Sequence, residues 1–365
     1  MREIAARFEI GCGRCLDPDG KPVGPLPDFA ADPATLIGLY RAMVRTRSFD
    51  AKAIALQRTG RLGTYASSLG QEAVSVGAAS AMRADDVLLP SFREHGAQLL
   101  RGVAPLELFL YWGGDERGSA FAGPKGDFPA SVPVGSHAPH AVGVALAFKL
   151  RREPRVAVCI FGDGATSKGD VAEALNIAGV WRVPALFVVS NNQWAISVPR
   201  EAQSAAATLA QKAVAAGIPG EQVDGNDVIA VRAAAIAAIE RARSGAGPSL
   251  IEAVTYRLGD HTTADDASRY RDDAMVTPHW RQEPVLRLRS YLNAAGLWTK
   301  DNEEQLLREV AAEIDGAADA YLRMPSQNPT TIFDYTYAEL PAELLRQREA
   351  MIAGLTPTRE AEGVA

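Results

Sequence analysis

Hydrophobic and polar positions are most clearly ordered in the middle of the chain. Residues 156–161 form a short apolar run rich in β-branched side chains, residues 169–180 have helical composition, and residues 185–190 form a second apolar run. This pattern predicts a β-loop-α-β unit. Upstream, Asp32 as cap and Pro33 at the first helical position open an amphipathic stretch that runs toward Arg58, where Gly60 and Gly63 stop it. A further helix is predicted over residues 71–82. Downstream, alanine-rich stretches at 202–216 and 228–243 precede the apolar run SLIEAVTY, and residues 280–325 read as helices with polar faces. The alternation predicts an α/β fold, one parallel sheet with helices on both faces, together with an N-terminal arm and C-terminal helices.

The arm is residues 1–31, rich in Pro and Gly (DPDGKPVGPLPDF) and without helical periodicity. It is expected to pack on a neighbour or stay loose. The main domain is expected over residues 32–335, C-terminal helices included, and a tail over 336–365 whose end, TPTREAEGVA, reads as frayed. There is no internal repeat and no low-complexity block.

Composition narrows the function classes. With 47% apolar residues among 365, the chain can bury a large core. Its 38 basic and 44 acidic residues give a net charge of −6 without a basic stripe or acidic tail, so nothing points to nucleic acid or an anionic membrane. No apolar run is long enough to span a bilayer, and the start MREIAARFEIGCGRC lacks a secretory core, so a cytosolic (cytoplasmic) location is expected. Cys12, Cys15 and Cys159 are too few for a disulfide framework. Cys12 and Cys15 form a CxxC without the two further ligands of a zinc site, and read as reduced thiols in the arm.

Candidate chemistry sits in the β-loop-α-β unit. The first strand ends in GDG (162–164), and Asn191 and Asn192 follow Asp163 by 28 and 29 residues. A βαβ unit takes about 30 residues. In a parallel sheet both loops open at the carboxyl edge, where α/β sheets bind ligands, so Asp163 and Asn192 are expected to meet. One carboxylate, one amide and a nearby carbonyl suit a hard divalent cation whose shell phosphate oxygens complete. Gly162 and Gly164 allow close approach of a phosphate, and the following helix points its positive end there. GDG alone matches an ordinary βα turn with Asp163 as helix cap and the Asn pair as a loop turn. The spacing to Asn192 favours the cation site.

These motifs resemble the thiamine diphosphate fingerprint. Over residues 32–335 the chain is similar to the α subunit of the E1 component of 2-oxo acid dehydrogenase complexes, the pyruvate and branched-chain group. The similarity is carried by GRLGTYASSLGQEAVSVG (60–77), FREHG (92–96), GDGATSKGD (162–170), SNNQWAIS (190–197), AQKAVAAGIPGEQVDGNDV (210–228) and YRLGDHTTADDASRYR (256–271). The resemblance implies that Asp163, Asn192 and the carbonyl of Trp194 hold Mg²⁺, and that Gly162, Gly164 and Ala165 face the diphosphate. It makes Arg93 the phosphate-binding arginine, which a guanidinium suits through paired hydrogen bonds. Phe92 stands where a tyrosine commonly precedes that arginine, so one phosphate contact is lost. His261 is implied as the catalytic and cofactor-contacting histidine, and Thr262 stands where mitochondrial relatives carry a phosphorylatable serine. In SVPVGSHAPHAVG (131–143), Val132 and Val134 are implied to hold the aminopyrimidine ring through their backbone. His137 replaces a usual glutamine, and His140 has no assigned role. Tyr65 is implied as a further cofactor contact beside Ala66, where mitochondrial pyruvate enzymes have a histidine. Glu72 either orients neighbours or simply suits a helix start.

The activity so implied is thiamine diphosphate-dependent oxidative decarboxylation of pyruvate with acyl transfer to the lipoyl group of an E2 acyltransferase core. The branched-chain 2-oxo acid is the alternative substrate. The resemblance also implies an α₂β₂ heterotetramer, since the family's activating glutamate lies on the β subunit, and no such domain fits here. A binding or regulatory subunit with a decayed site is the non-enzymatic alternative. A nucleotide-binding protein ranks last, because the chain has no GxxxxGK[ST] and no GxGxxG after a strand.

Overall fold

A computed structural model describes residues 3–355; the expected frayed tail lies outside them. Six strands form one sheet: β1 (Cys12–Gly13), β2 (Val87–Pro90), β3 (Ala157–Gly162), β4 (Ala185–Asn191), β7 (Gly220–Asp224) and β8 (Ser249–Val254). Between them β5 (Trp194–Ala195) and β6 (Val198–Pro199) make a two-stranded antiparallel ribbon. The sheet order is β1-β7-β8-β4-β3-β2, and every neighbouring pair is parallel.

Parallel strands need helices on both faces, and the alternation along β3 shows how the sequence provides them. Ala157, Cys159 and Phe161 pack on one face against α5 (His137–Arg151) and α6 (Gly169–Trp181), through Ala141, Val142, Ala174 and Leu175. Val158 and Ile160 face the other way, toward α2 (Glu72–Ser80) and the helix Val228–Arg243, through Val74, Ala78, Val231 and Ala235. Each such Val, Leu or Ile contributes about 1.5–3 kcal/mol on burial.

The long first helix, α1 (Pro33–Arg58), starts as expected. Asp32 accepts from the amides of Ala34 and Thr35 at 3.1 and 3.2 Å, and Pro33 occupies the first turn. Its buried face, including Leu36, Tyr40, Met43 and Phe49, packs with Leu288, Leu306 and Val310 of the C-terminal helices.

The structure departs from the sequence expectations at four places. Residues 202–216 hold two short helices, Arg200–Gln203 and Gln211–Ala215, rather than one. Strand β7 was hidden in a polar five-residue stretch, GEQVD, without apolar alternation. The arm, expected to pack on a neighbour or stay loose, lies on its own chain: β1 pairs with β7, and Leu16 is buried in the α1 core. Asp227 holds it there, its Oδ2 accepting from the amides of Cys15 and Leu16 at 2.7 and 2.6 Å. Finally, one compact unit runs to Tyr321 and a second begins at Leu322, earlier than the expected boundary at 335. The helix Lys300–Leu322 ends there, and Pro325 and Pro329 follow, which cannot continue it. Among the described residues no helix is long and apolar enough to cross a membrane.

Candidate functional site

The register of the sheet brings the two motif residues together. Gly162 of β3 lies beside Ser190 of β4, so Asp163 and Asn192 leave neighbouring strands one and two residues past that pair. Both line a cavity of about 190 Å³, as do Phe92, Arg93, Trp194 and His261. Gly162, Gly164, Ala165 and Val134 also line it.

Asp163 is 1% exposed and does not cap α6; Lys168 stands at that cap position. Its Oδ2 accepts from Gln203 Nε2 at 2.8 Å, and Oδ1 has no side-chain partner among the described residues. Burial pushes its carboxyl above the usual carboxylate range, against the hydrogen bond from Gln203, which acts the other way. A buried carboxylate in this state gains from a cation. Asn192 Oδ1 accepts from the amide of Trp194 at 3.1 Å, and its Nδ2 donates to Gln71 Oε1 at 2.8 Å. The Trp194 carbonyl receives only a long contact, 3.5 Å, from Arg257 Nη1. The turn that presents it contains Gln193 and Ile196 at φ of 72° and 56°, a left-handed backbone that non-glycine residues adopt at a cost. Asn191 faces away: its Nδ2 donates to Glu252 at 2.7 Å and its Oδ1 accepts from the amide of Gln193.

Opposite the carboxylate stands a cationic group. Arg93 donates to the carbonyls of Ser67 and His261, both at 2.7 Å, and its Nη2 lies 2.8 Å from His261 Nδ1. Burial and the neighbouring Arg257 lower Arg93 to about 10, still charged at neutral pH. His261 is pushed down to about 4 by burial and by the two guanidiniums of Arg93 and Arg257. Arginine cannot accept, so Nδ1 is the acceptor and the proton of the neutral ring sits on Nε2. Thr262 follows on the same loop, where the amide of Ala264 donates to its Oγ1 at 3.3 Å.

The residues fit a diphosphate with a hard cation. A Cβ added to Gly162 would stand in open space, with no atom within 4 Å, and the φ of −77° suits any residue. Nothing in the protein's own packing demands glycine there, whereas a close-lying ligand does. Gly164 differs, since a Cβ would come within 2.7 Å of Ala195 Cβ. Among the described residues no three His, Cys, Asp or Glu side chains cluster as a metal site, so a cation here would rely on one carboxylate, one amide, one carbonyl and ligand oxygens, the set suited to Mg²⁺. The positive end expected from α6 is displaced, because a 3-10 turn, Asp163–Ser167, intervenes before Gly169.

Two expected contacts stand apart from the cavity. Tyr65 is fully buried and does not line it. Its hydroxyl donates to Asp50, whose buried carboxylate also collects Ser67 Oγ at 2.7 Å and the Ser68 amide at 2.8 Å. A buried carboxylate needs such donors, and Tyr65 is committed to that need. Val132 is 56% exposed and lies off the cavity. His140 is exposed, while His137 is buried on the cavity wall with its Nε2 2.9 Å from the Ile160 carbonyl. Glu72 is buried and paired with Arg47 at 2.7 Å.

Sequence reasoning missed Gln71, Gln203 and Arg257. Gln71 and Arg257 lie within the stretches 60–77 and 256–271 and Gln203 between 197 and 210, and only the fold shows that they touch Asn192, His261 and Asp163. A larger hollow of about 440 Å³ lies beyond Trp194 against β7 and β8, but its Arg14 and Asp224 are already paired at 2.9 Å.

The chain matches the family model described as "Dehydrogenase E1 component" over residues 40–330. It is 44% identical to the "3-methyl-2-oxobutanoate dehydrogenase subunit alpha" of Mycobacterium tuberculosis (strain ATCC 25618 / H37Rv), over 94% of each chain. It is also 40% identical to the "Pyruvate dehydrogenase E1 component subunit alpha" of Bacillus cereus, over 96% of this chain and 94% of that one. The same identity, 40%, holds with the protein of that name from Acholeplasma laidlawii, over 91% and 97%. The chain therefore belongs to the dehydrogenase E1 component family, as an α subunit of a thiamine diphosphate-dependent 2-oxo acid dehydrogenase.

Proposed function

We propose that this subunit holds the diphosphate half of thiamine diphosphate through Mg²⁺ and, joined to a β subunit, decarboxylates pyruvate and passes the acetyl group to a lipoyl-bearing acyltransferase. The observation that carries the reading is the meeting of Asp163 and Asn192 with Arg93 and His261 on one cavity. When bound, the cofactor supplies the nucleophilic carbon and the electron sink for decarboxylation.

The chain's own residues hold and orient. Asp163, Asn192 and the Trp194 carbonyl bind the cation, and the open face of Gly162 admits the diphosphate. Arg93 offers charge-assisted hydrogen bonds to its oxygens. His261, neutral with its proton on Nε2, serves as a donor at the cavity rather than as a general base. Val134 contributes its backbone to the aminopyrimidine ring, and Phe92 packs at the wall. Tyr65 braces the His261 loop from outside the cavity, its amide donating to Thr263 Oγ1 at 3.0 Å and its carbonyl accepting from the Thr263 amide at 2.8 Å.

Two features favour a β partner and an α₂β₂ assembly. The cavity, about 190 Å³, is smaller than the roughly 300 Å³ at which sites enclosing whole ligands begin. Val134 and Ile196, both on its wall, are 48% and 55% exposed, the sign of an apolar rim that another surface covers. The test is dye reduction driven by a 2-oxo acid, with and without the β subunit. Full activity of the isolated chain overturns the two-chain reading.

A second substrate, 3-methyl-2-oxobutanoate, is favoured by the 44% identity to the mycobacterial subunit. Rates with pyruvate and 3-methyl-2-oxobutanoate, measured side by side in the assembled enzyme, decide between them.

A further inference from the structure

We propose that Gln71 is a positioning residue for the cation: it holds the Asn192 amide so that its oxygen faces the metal, and it polarises that oxygen. The proposal rests on the reading that Asp163 and Asn192 bind a divalent ion.

The orientation follows from a donor that has no choice. The Trp194 amide can only donate, so the Asn192 atom 3.1 Å from it is the oxygen. Asn192 Nδ2 therefore points the other way, to the Gln71 side chain at 2.8 Å, which must present its own oxygen. Ser190 Oγ donates to the same Gln71 oxygen at 3.3 Å. With Oε1 so committed, Gln71 Nε2 is left buried without an acceptor among the described residues. A flipped Gln71 would set donor against donor at Asn192, and a flipped Asn192 would turn an N–H toward both the Trp194 amide and the cation. Buried donors are rarely left unpaired. This one marks where the demand of Asn192 overrides that of Gln71.

Gln71 is 4% exposed and lines the cavity, yet the residues expected to touch the cofactor do not include it. It acts through Asn192. An acceptor on the N–H side of a ligating amide pulls electron density toward its oxygen and fixes its plane, the role outer partners play at metal sites. The two glutamines thus divide the work, Gln203 on Asp163 and Gln71 on Asn192.

The test is Mg²⁺ titration at fixed thiamine diphosphate in the assembled α/β enzyme, read by calorimetry and by tryptophan fluorescence. Gln71→Met keeps the length of the side chain and removes the acceptor, and it should raise the Mg²⁺ concentration for half-saturation by roughly 10- to 100-fold. Gln71→Glu keeps an acceptor and should remain within about threefold of wild type, well below that range. The double variant Gln71→Met/Asn192→Ala should bind Mg²⁺ no more weakly than Asn192→Ala alone, because one residue works through the other. Additive losses, or equal losses in Gln71→Met and Gln71→Glu with a matching fall in melting temperature, would show a purely structural role and overturn the proposal. Asp163→Ala separates the two readings. If it abolishes Mg²⁺ dependence while Gln71→Met does not change it, only the role of Gln71 falls. If neither variant changes it, the cation site itself falls.

Discussion

Arg93 and Arg257 close on one nitrogen of His261, with Nη atoms 2.8 and 3.4 Å from Nδ1. Two fixed positive charges beside an imidazole make protonation costly, and burial adds to the cost. The ring is therefore held neutral and in a single tautomer.

The titration of His261 follows. Its folded midpoint is pushed down to about 4, while an unfolded histidine titrates near 6.5. The folded midpoint lies below the unfolded one, so the stability contributed by the neutral ring is full above about 6.5 and is lost as pH falls through about 4. Nitrogen-15 NMR of labelled histidine should show a neutral ring protonated at Nε2 at pH 5.5. Replacing Arg93 by Met should move the midpoint upward. A wild-type midpoint near 6.5 contradicts this geometry.

Asp163 opposes stability to function. Its raised pKa means that, without a cation, stability is full below the ordinary carboxylate range near 3.9 and declines as pH rises through the folded midpoint. Asp163→Asn should therefore raise the melting temperature of the cofactor-free protein at pH 7 while abolishing Mg²⁺-dependent binding of thiamine diphosphate. Asn192→Ala should weaken binding less, since water can replace a neutral ligand. Calorimetry and thermal melts at several pH values read both effects, and undiminished cofactor affinity in Asp163→Asn removes this residue from the cation site.

Gly162 and Gly164 differ in what they leave room for. A Cβ at Gly162 meets nothing within 4 Å, so Gly162→Ala should change stability by less than about 1 kcal/mol and weaken cofactor binding at least several-fold. At Gly164 the Cβ comes within 2.7 Å of Ala195, so Gly164→Ala should cost about 1–3 kcal/mol even without cofactor. Urea unfolding beside a binding isotherm distinguishes them. Equal behaviour of the two variants would refute the assignment of Gly162 to a ligand.

Asp227 ties the arm to the helix Val228–Arg243. One carboxylate oxygen takes the amides of Cys15 and Leu16, and the other takes those of Ile229 and Ala230 at 3.0 and 3.2 Å. Asp227→Ala removes a helix cap and orphans two amides, for an expected loss of about 2–5 kcal/mol. Cys15, half-buried and raised to about 11 by burial and by Asp227, should then react faster with a thiol reagent. An unchanged labelling rate would mean that the arm is held elsewhere.

The sequence makes the site's ligands more legible than their supports. The GDG-to-Asn192 spacing foretold that Asp163 and Asn192 would meet on one cavity, because a parallel register is set by the strands alone, Gly162 beside Ser190. Apolar runs disclosed β3, β4 and β8, and the Asp32–Pro33 cap disclosed α1, since each leaves a local mark. Strand β7 left none, because GEQVD earns its place by pairing on both sides and not by its own alternation. Tyr65 was expected at the cofactor, but the demand of buried Asp50 for donors, invisible in one dimension, decides its position. Gln71, Gln203 and Arg257 share this difficulty: their roles are contacts across the fold, from Gln71 to Asn192 for example, and no local pattern encodes them.

The pairing of β1 with β7 sets an order of events in synthesis. Strand β1, at Cys12, joins the sheet beside Gln222, a partner made some two hundred residues later. At ~5–20 residues per second that partner follows by on the order of 10–40 s. Until then β1 has no strand to pair with, so the β7 side of the sheet closes on a segment synthesised well before it.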